Sequence, residues 1–137
     1  MKILIIAVAF TLVASMAIGQ QPTWTDPATG LMWTSRDNGD DVTNQEASNY
    51  CQNLSLGGYS GWRLPTINEL KSIYNESLKW HIKDNIQMTE WLWVWSSTSG
   101  DASEEGSVFF FLTGERFSLP LRGSAGKRAL CVRRTGQ

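Results

Sequence analysis

Gly61-Trp62-Arg63-Leu64-Pro65-Thr66-Ile67-Asn68-Glu69-Leu70 is the stretch on which the reading of the fold turns. Pro65 restricts the residue before it to extended backbone, so Trp62–Pro65 reads as an extended approach rather than helix. Thr66-Ile67-Asn68-Glu69 then has the form of a capping box, in which a Thr hydroxyl and a Glu carboxylate satisfy each other's free backbone N–H groups. Ile67, Leu70, Ile73 and Tyr74 follow at helical spacing, giving one apolar stripe. A second capping box stands upstream at Thr43-Asn44-Gln45-Glu46, followed by Ala47, Tyr50, Cys51 and Leu54 on one face. Gly57-Gly58 is the expected end of that helix.

Outward from the two helices the pattern turns to strand. Thr23–Thr25 and Leu31–Thr34 flank a turn at Asp26-Pro27-Ala28-Thr29-Gly30, where Pro presets φ and Gly supplies a left-handed conformation. Downstream, Trp91, Trp93 and Trp95 alternate with Leu92 and Val94, which places the three indoles on one face of a strand. Ser107–Leu112 reads as a further strand ending in a Thr113-Gly114 hairpin turn, and Ala129–Arg134 as a final strand carrying Cys131. Residues 75–90 fit neither period and read as loop with a helical turn at most. Helices early and a sheet later give an α+β class, two helices packed on a twisted, mainly antiparallel sheet.

The N-terminus reads as a separate processing segment. Met1-Lys2 precedes an apolar run to Ile18 broken by Thr11 and Ser15, with small residues at Ala17 and Gly19, the pattern of a secretory signal peptide over residues 1–19. Residues 20–137 are then one domain, exported to the periplasm, the cell surface or the medium. Export makes the two cysteines, Cys51 and Cys131, a disulfide pair, since helical phase aims Cys51 at the core. One histidine, His81, and two widely spaced cysteines make no zinc site. No cofactor is expected. Asp37-Asn38-Gly39-Asp40-Asp41 carries oxygens that Ca²⁺ accepts but matches no EF-hand loop and reads as solvated loop.

Charge is unevenly placed. From Arg116 to Gln137 there are six basic residues and no acidic one, in a chain with twelve Lys and Arg against thirteen Asp and Glu. Such asymmetry suggests an anion-attracting end. Arg122, Lys127 and Arg128 lie in a Gly- and Ser-rich stretch and are expected to be exposed. With Arg134 they form the leading candidate ligand patch. Trp91 and Trp93 are the second candidate, since exposed indoles stack on the apolar faces of sugars.

In order along the chain, Trp24-Thr-Asp-Pro-Ala-Thr-Gly-Leu-Met-Trp33, Ala47-Ser-Asn-Tyr-Cys51, Gly61–Leu70, Trp95-Ser-Ser-Thr98 and Leu130-Cys-Val-Arg133 resemble the Lcl C-terminal domain family, named for a bacterial collagen-like adhesin. The resemblance implies a C-type-lectin-like fold in the variant shared with the formylglycine-generating enzyme. It also implies structural roles for Trp33, Trp62, Arg63, Pro65, Thr66, Glu69 and Trp95. Arg63 and Glu69 read as a structural ion pair or helix-cap contact, with a functional site pair as the alternative. The family's type member is a trimeric adhesin domain that binds sulfated polysaccharide. This chain has no collagen-like tract to align three heads, and none of the carboxylate–amide–proline triplets that C-type lectins use for calcium and sugar.

Three functions are then open. The first is a secreted, non-catalytic binding module for an anionic glycan or another extracellular ligand, with no nucleic-acid partner. The second is a structural or displayed recognition domain of a surface assembly. The third is an oxidase related to the formylglycine-generating enzyme, which needs two closely placed free thiols to hold copper.

Overall fold

The computed structural model describes residues 21–83, 85–90 and 93–136. The expected leader, its cut between Gly19 and Gln20, and Trp91 lie outside the described residues. The architecture is α+β. Strands β1 (Thr23–Thr25) and β2 (Leu31–Thr34) are followed by helices α1 (Asn44–Asn53) and α2 (Ile67–Ile73), then a 3₁₀ turn at Lys79–His81. Five strands follow: β3 (Trp93–Ser99), β4 (Glu105–Phe110), β5 (Glu115–Pro120), β6 (Lys127–Arg128) and β7 (Val132–Arg134).

Both capping boxes form. Thr43 Oγ1 accepts from the Glu46 amide and Glu46 Oε1 from the Thr43 amide, at 3.2 and 3.0 Å. Thr66 and Glu69 repeat the arrangement at 3.1 and 2.9 Å. The first helix stops sooner than its glycines suggest: Leu54 is already extended and caps Cys51 O. Gly57 and Gly58, both at positive φ, instead close a tight turn between the bridged residues Leu56 and Tyr59. Tyr50, expected on the buried face of α1, is 39% exposed. The β1–β2 turn is closed by Asp26, whose carboxylate accepts from the Ala28 amide and pairs with Lys83 Nζ at 2.6 Å.

The described residues form two sheets, not one. β1, β2 and β7 form an antiparallel three-stranded sheet; the other runs β5-β4-β3-β6, with β6 parallel to β3. The expected continuous strand over 129–134 is therefore corrected. The chain pairs with Trp93 and Val94 through Lys127 and Arg128, then leaves at Ala129–Cys131 and joins β2 through Val132–Arg134. Arg63 adds to the far side of β7, exchanging two backbone hydrogen bonds with Val132 at 3.0 and 2.9 Å.

The four-stranded sheet is packed on both faces. Val94 and Phe109 meet Ile67, Leu70 and Ile73 of α2 in one cluster, while Trp95 and Val108 meet Ala47 and Cys51 of α1 in the other. Alternation along β3 and β4 sends successive side chains to opposite clusters. Each fully buried Leu or Ile contributes about 1.5–3 kcal/mol. β3 leaves its ladder between Trp95 and Ser99. In that bulge the Ser97 amide donates to Pro65 O at 2.7 Å, and Thr98 Oγ1 accepts from the Ile67 amide at 3.1 Å. Trp95-Ser-Ser-Thr98 thus satisfies a free N–H at the start of α2 and locks the Trp62–Pro65 segment to β3.

Cys51 and Cys131 are bonded, with Cα atoms 5.6 Å apart and a sequence separation of 80. The bond ties α1 to the point where the chain changes sheets. A Cys51→Ser, Cys131→Ser double variant is expected to lose about 2–5 kcal/mol of unfolding free energy, read from urea melts of the two proteins. An unchanged midpoint would show that the crossover holds without the bond.

Candidate functional site

The six C-terminal cations do not form one face. Lys127 and Arg128 are each 8% exposed and stand on β6 rather than in a loop, which corrects their expected exposure. Lys127 Nζ lies 5.9 Å over the Trp95 ring and donates to Ala125 O. Arg128 Nε pairs with Asp41 Oδ1 at 3.0 Å; Nη1 donates to Thr89 Oγ1 at 2.7 Å and lies 3.8 Å from Asp37 Oδ2. Thr89 Oγ1 in turn donates to the same Asp37 oxygen at 2.8 Å. Burial pushes the Asp37 carboxyl above its ordinary value against these contacts. The Gly126 amide, then Arg128, hold Asp41 below its own.

The remaining four cations are dispersed. Arg133 is buried, donating from Nε to Ser60 O at 2.8 Å with its guanidinium 4.9 Å over the Tyr59 ring. Arg116 pairs with Asp101 at 2.8 Å and donates to Ser107 Oγ. Arg122 and Arg134 stay exposed, but Arg122 follows the edge strand of the four-stranded sheet, opposite Glu104, and Arg134 ends the three-stranded one. Three of the six, Lys127, Arg128 and Arg133, are thus buried, and Arg128 faces acidic residues far upstream. The Asp37–Asp41 loop is part of this: Asp37 and Asp41 face Arg128, and Asn38 Oδ1 accepts from the Ala129 amide at 2.8 Å.

The tryptophans and the proline of the motif are buried, and Arg63, Thr66 and Glu69 are half-buried. Trp33 and Trp95 have no exposure and Trp62 has 2%; Pro65 is fully buried. Trp95 Nε1 donates to Val42 O, and Trp62 Nε1 to Tyr59 O. Arg63 grips Glu69 with two parallel bonds, 2.6 and 2.8 Å, while Glu69 also caps α2. Its contact with Arg63, above all, keeps the Glu69 carboxyl below the usual range. Trp93 is half-buried, tilted against Phe110 at 5.3 Å, with Nε1 buried and unpartnered among the described residues. It packs on the Trp95 side of the sheet rather than standing free. His81 Nδ1 lies 2.9 Å from Leu112 O and 3.2 Å from Phe111 O. Both are acceptors, so that nitrogen carries the proton.

What the fold does present is a groove of about 370 Å³ between α1, the bulge of β3 and the start of β4, within the size range of small-ligand sites. Asn44, Ser48 and Gln52 line one wall, four residues apart on one helix face. Ser97 and Ser99 line the other, with Leu64, Gly106 and Leu121 between. Gly106 makes the floor: a Cβ there would stand 2.8 Å from Leu121 Cδ2 and 3.1 Å from Trp95 Cζ3. The walls are fixed from behind by the disulfide on α1, by the Asn44 amide donating to Leu121 O, and by the bulge bonds to Pro65 and Ile67. Sequence reasoning missed this site. Its one signal was the polar stripe at 44, 48 and 52, which is indistinguishable from the solvated side of an amphipathic helix until the bulge is placed opposite it.

The family model of the Lcl C-terminal domain matches residues 22–133. The chain belongs to that family. No curated protein sequence matches it.

Arg128→Met should strand Asp37 in the interior and cost about 3 kcal/mol or more. Adding Asp37→Asn should recover part of that loss, because the buried charge goes with its partner. Chemical denaturation of the single and double variants checks both; a single variant as stable as the parent would mean Arg128 does not carry the network.

Proposed function

We propose that this chain is a secreted, non-catalytic binding module with a C-type-lectin-like fold, acting on a glycan or another ligand of an extracellular surface. Residues 1–19 serve as its export signal in this reading. The observation that carries it is the rigid groove walled by hydroxyl and amide side chains, the groups that read hydroxyl-bearing ligands by hydrogen bonds. Membership of the Lcl C-terminal domain family supports the same reading. The oxidase alternative loses ground because both sulfurs are joined in the disulfide, leaving neither as a thiol for copper.

The test is a glycan array probed with the folded, disulfide-bonded chain from residue 20. Saturable binding to at least one class of extracellular saccharide is expected, with the saccharide recovered unaltered. Retention of none at micromolar protein would overturn the reading, and recovery of cleaved or oxidised sugar would return the molecule to the enzymes.

A further inference from the structure

We infer that the groove between α1 and the β3 bulge selects an uncharged, hydroxyl-bearing saccharide and discriminates against sulfated or uronic polymers. This inference rests on the binding-module reading and narrows it to one site and one ligand chemistry. It begins with the charges. Among the residues lining the groove, Arg63 and Glu105 are the ionised ones. Arg63 is the sole cation there among the described residues, and both its terminal nitrogens are held by Glu69 at 2.6 and 2.8 Å. A bidentate guanidinium–carboxylate pair is neutral as a unit; it occupies the end-on fork of Arg63, and Leu64 O takes a further Nη1 hydrogen. Glu105 is in no ion pair among the described residues and adds negative charge where a polyanion would lie. The buried or dispersed cations of the C-terminal segment lie outside this lining.

The hydrogen-bonding capacity points the same way. Asn44 and Gln52 each offer an amide donor and an amide acceptor, and Ser48 and Ser97 a hydroxyl that does both. Gln52 Nε2 touches Ser48 Oγ at a long 3.4 Å. Asn44 Nδ2 comes within 3.4 Å of where a Cβ at 106 would stand, so that amide overhangs the floor. Mixed donors and acceptors suit sugar hydroxyls, which also do both, whereas an anion accepts alone. Leu64, Leu121 and the glycine floor supply an apolar strip for the C–H face of a pyranose, bounded by the polar walls. The walls are preassembled, so little ordering entropy opposes binding.

The experiment is a two-dimensional amide NMR titration of the folded chain with cellohexaose and mannohexaose as neutral probes and a heparin hexasaccharide as the sulfated one. At least one neutral probe is expected to shift the amides of Asn44, Ser48, Gln52, Ser97 and Gly106, with heparin leaving them in place. A triple variant, Asn44→Ala, Ser48→Ala and Gln52→Ala, leaves both capping boxes intact and replaces surface polar residues by a better helix former. It should weaken the neutral probe by about 10-fold or more, as three ligand hydrogen bonds go. An Arg122→Ser, Arg134→Ser variant should bind as the parent does. Mapping on the parent protein keeps the test independent of any variant's folding. Binding of heparin alone, with shifts around Arg122 or Arg134, would overturn the inference and leave the glycan reading standing. Silence toward all three probes would overturn the groove assignment, and the array would then decide the broader reading.

Discussion

Both sheets take their closing strand from one short stretch, Lys127–Arg134, and the molecule depends on where that stretch changes allegiance. Two residues pair with β3, three residues step across, and three more pair with β2. Such short pairings cannot stand alone, since isolated two-stranded pieces are marginal in water. They persist because the step is pinned from several sides. Cys131 is bonded to α1, its amide donates to Thr34 Oγ1, and its carbonyl accepts from the Thr34 amide. Ala129 exchanges bonds with Asn38, and Val132 with Arg63. Remote segments near residues 34, 38, 51 and 63 thereby converge on a few residues at the C-terminal end.

This convergence explains why the charge pattern misleads when read along the chain. Arg128 is part of the pinning: it joins the crossover to the Asp37–Asp41 loop, neutralising carboxylates from the acidic portion. Arg133 does the same for the Tyr59–Ser60 turn, with a carbonyl and a ring in place of a carboxylate. A run of positive residues at one end of a sequence produces a positive surface when the segment is a solvated tail. Here Lys127, Arg128 and Arg133 are buried at the crossover and serve internal contacts, while Arg122 and Arg134 stay exposed on different sheets. The groove proposed as the binding site lies instead between α1 and the β3 bulge, where the lining is mostly uncharged.

The elements legible in the sequence are those fixed by near neighbours. Thr43–Glu46 and Thr66–Glu69 announce their helices because a capping box closes within four residues. Thr23–Thr25 and Leu31–Thr34 are delimited by the Asp-Pro-Ala-Thr-Gly turn. Cys51 betrays its partner through helical phase. The rest needs long-range information. Nothing near Lys127 says that it will pair in parallel with Trp93, and nothing near Arg128 announces an aspartate 87 residues upstream. β5 escaped notice because its edge position leaves none of its residues buried, so its side chains alternate only between exposed and half-buried. The groove has the same character: one wall is legible as a helix face, but it becomes a wall only when a bulge in β3, drawn out by Pro65 and Ile67, stands opposite.

The account makes the C-terminal crossover the rigid centre of the molecule rather than a charged, ligand-seeking tail. Native-state amide hydrogen exchange tests that most directly, residue by residue, on the oxidised chain. The amides of Arg63, Ala129, Cys131 and Val132 are predicted to exchange only through global unfolding, at the free energy given by denaturant melts. Exchange of those four amides through local opening, well below the global value while β3 and β4 remain protected, would contradict it.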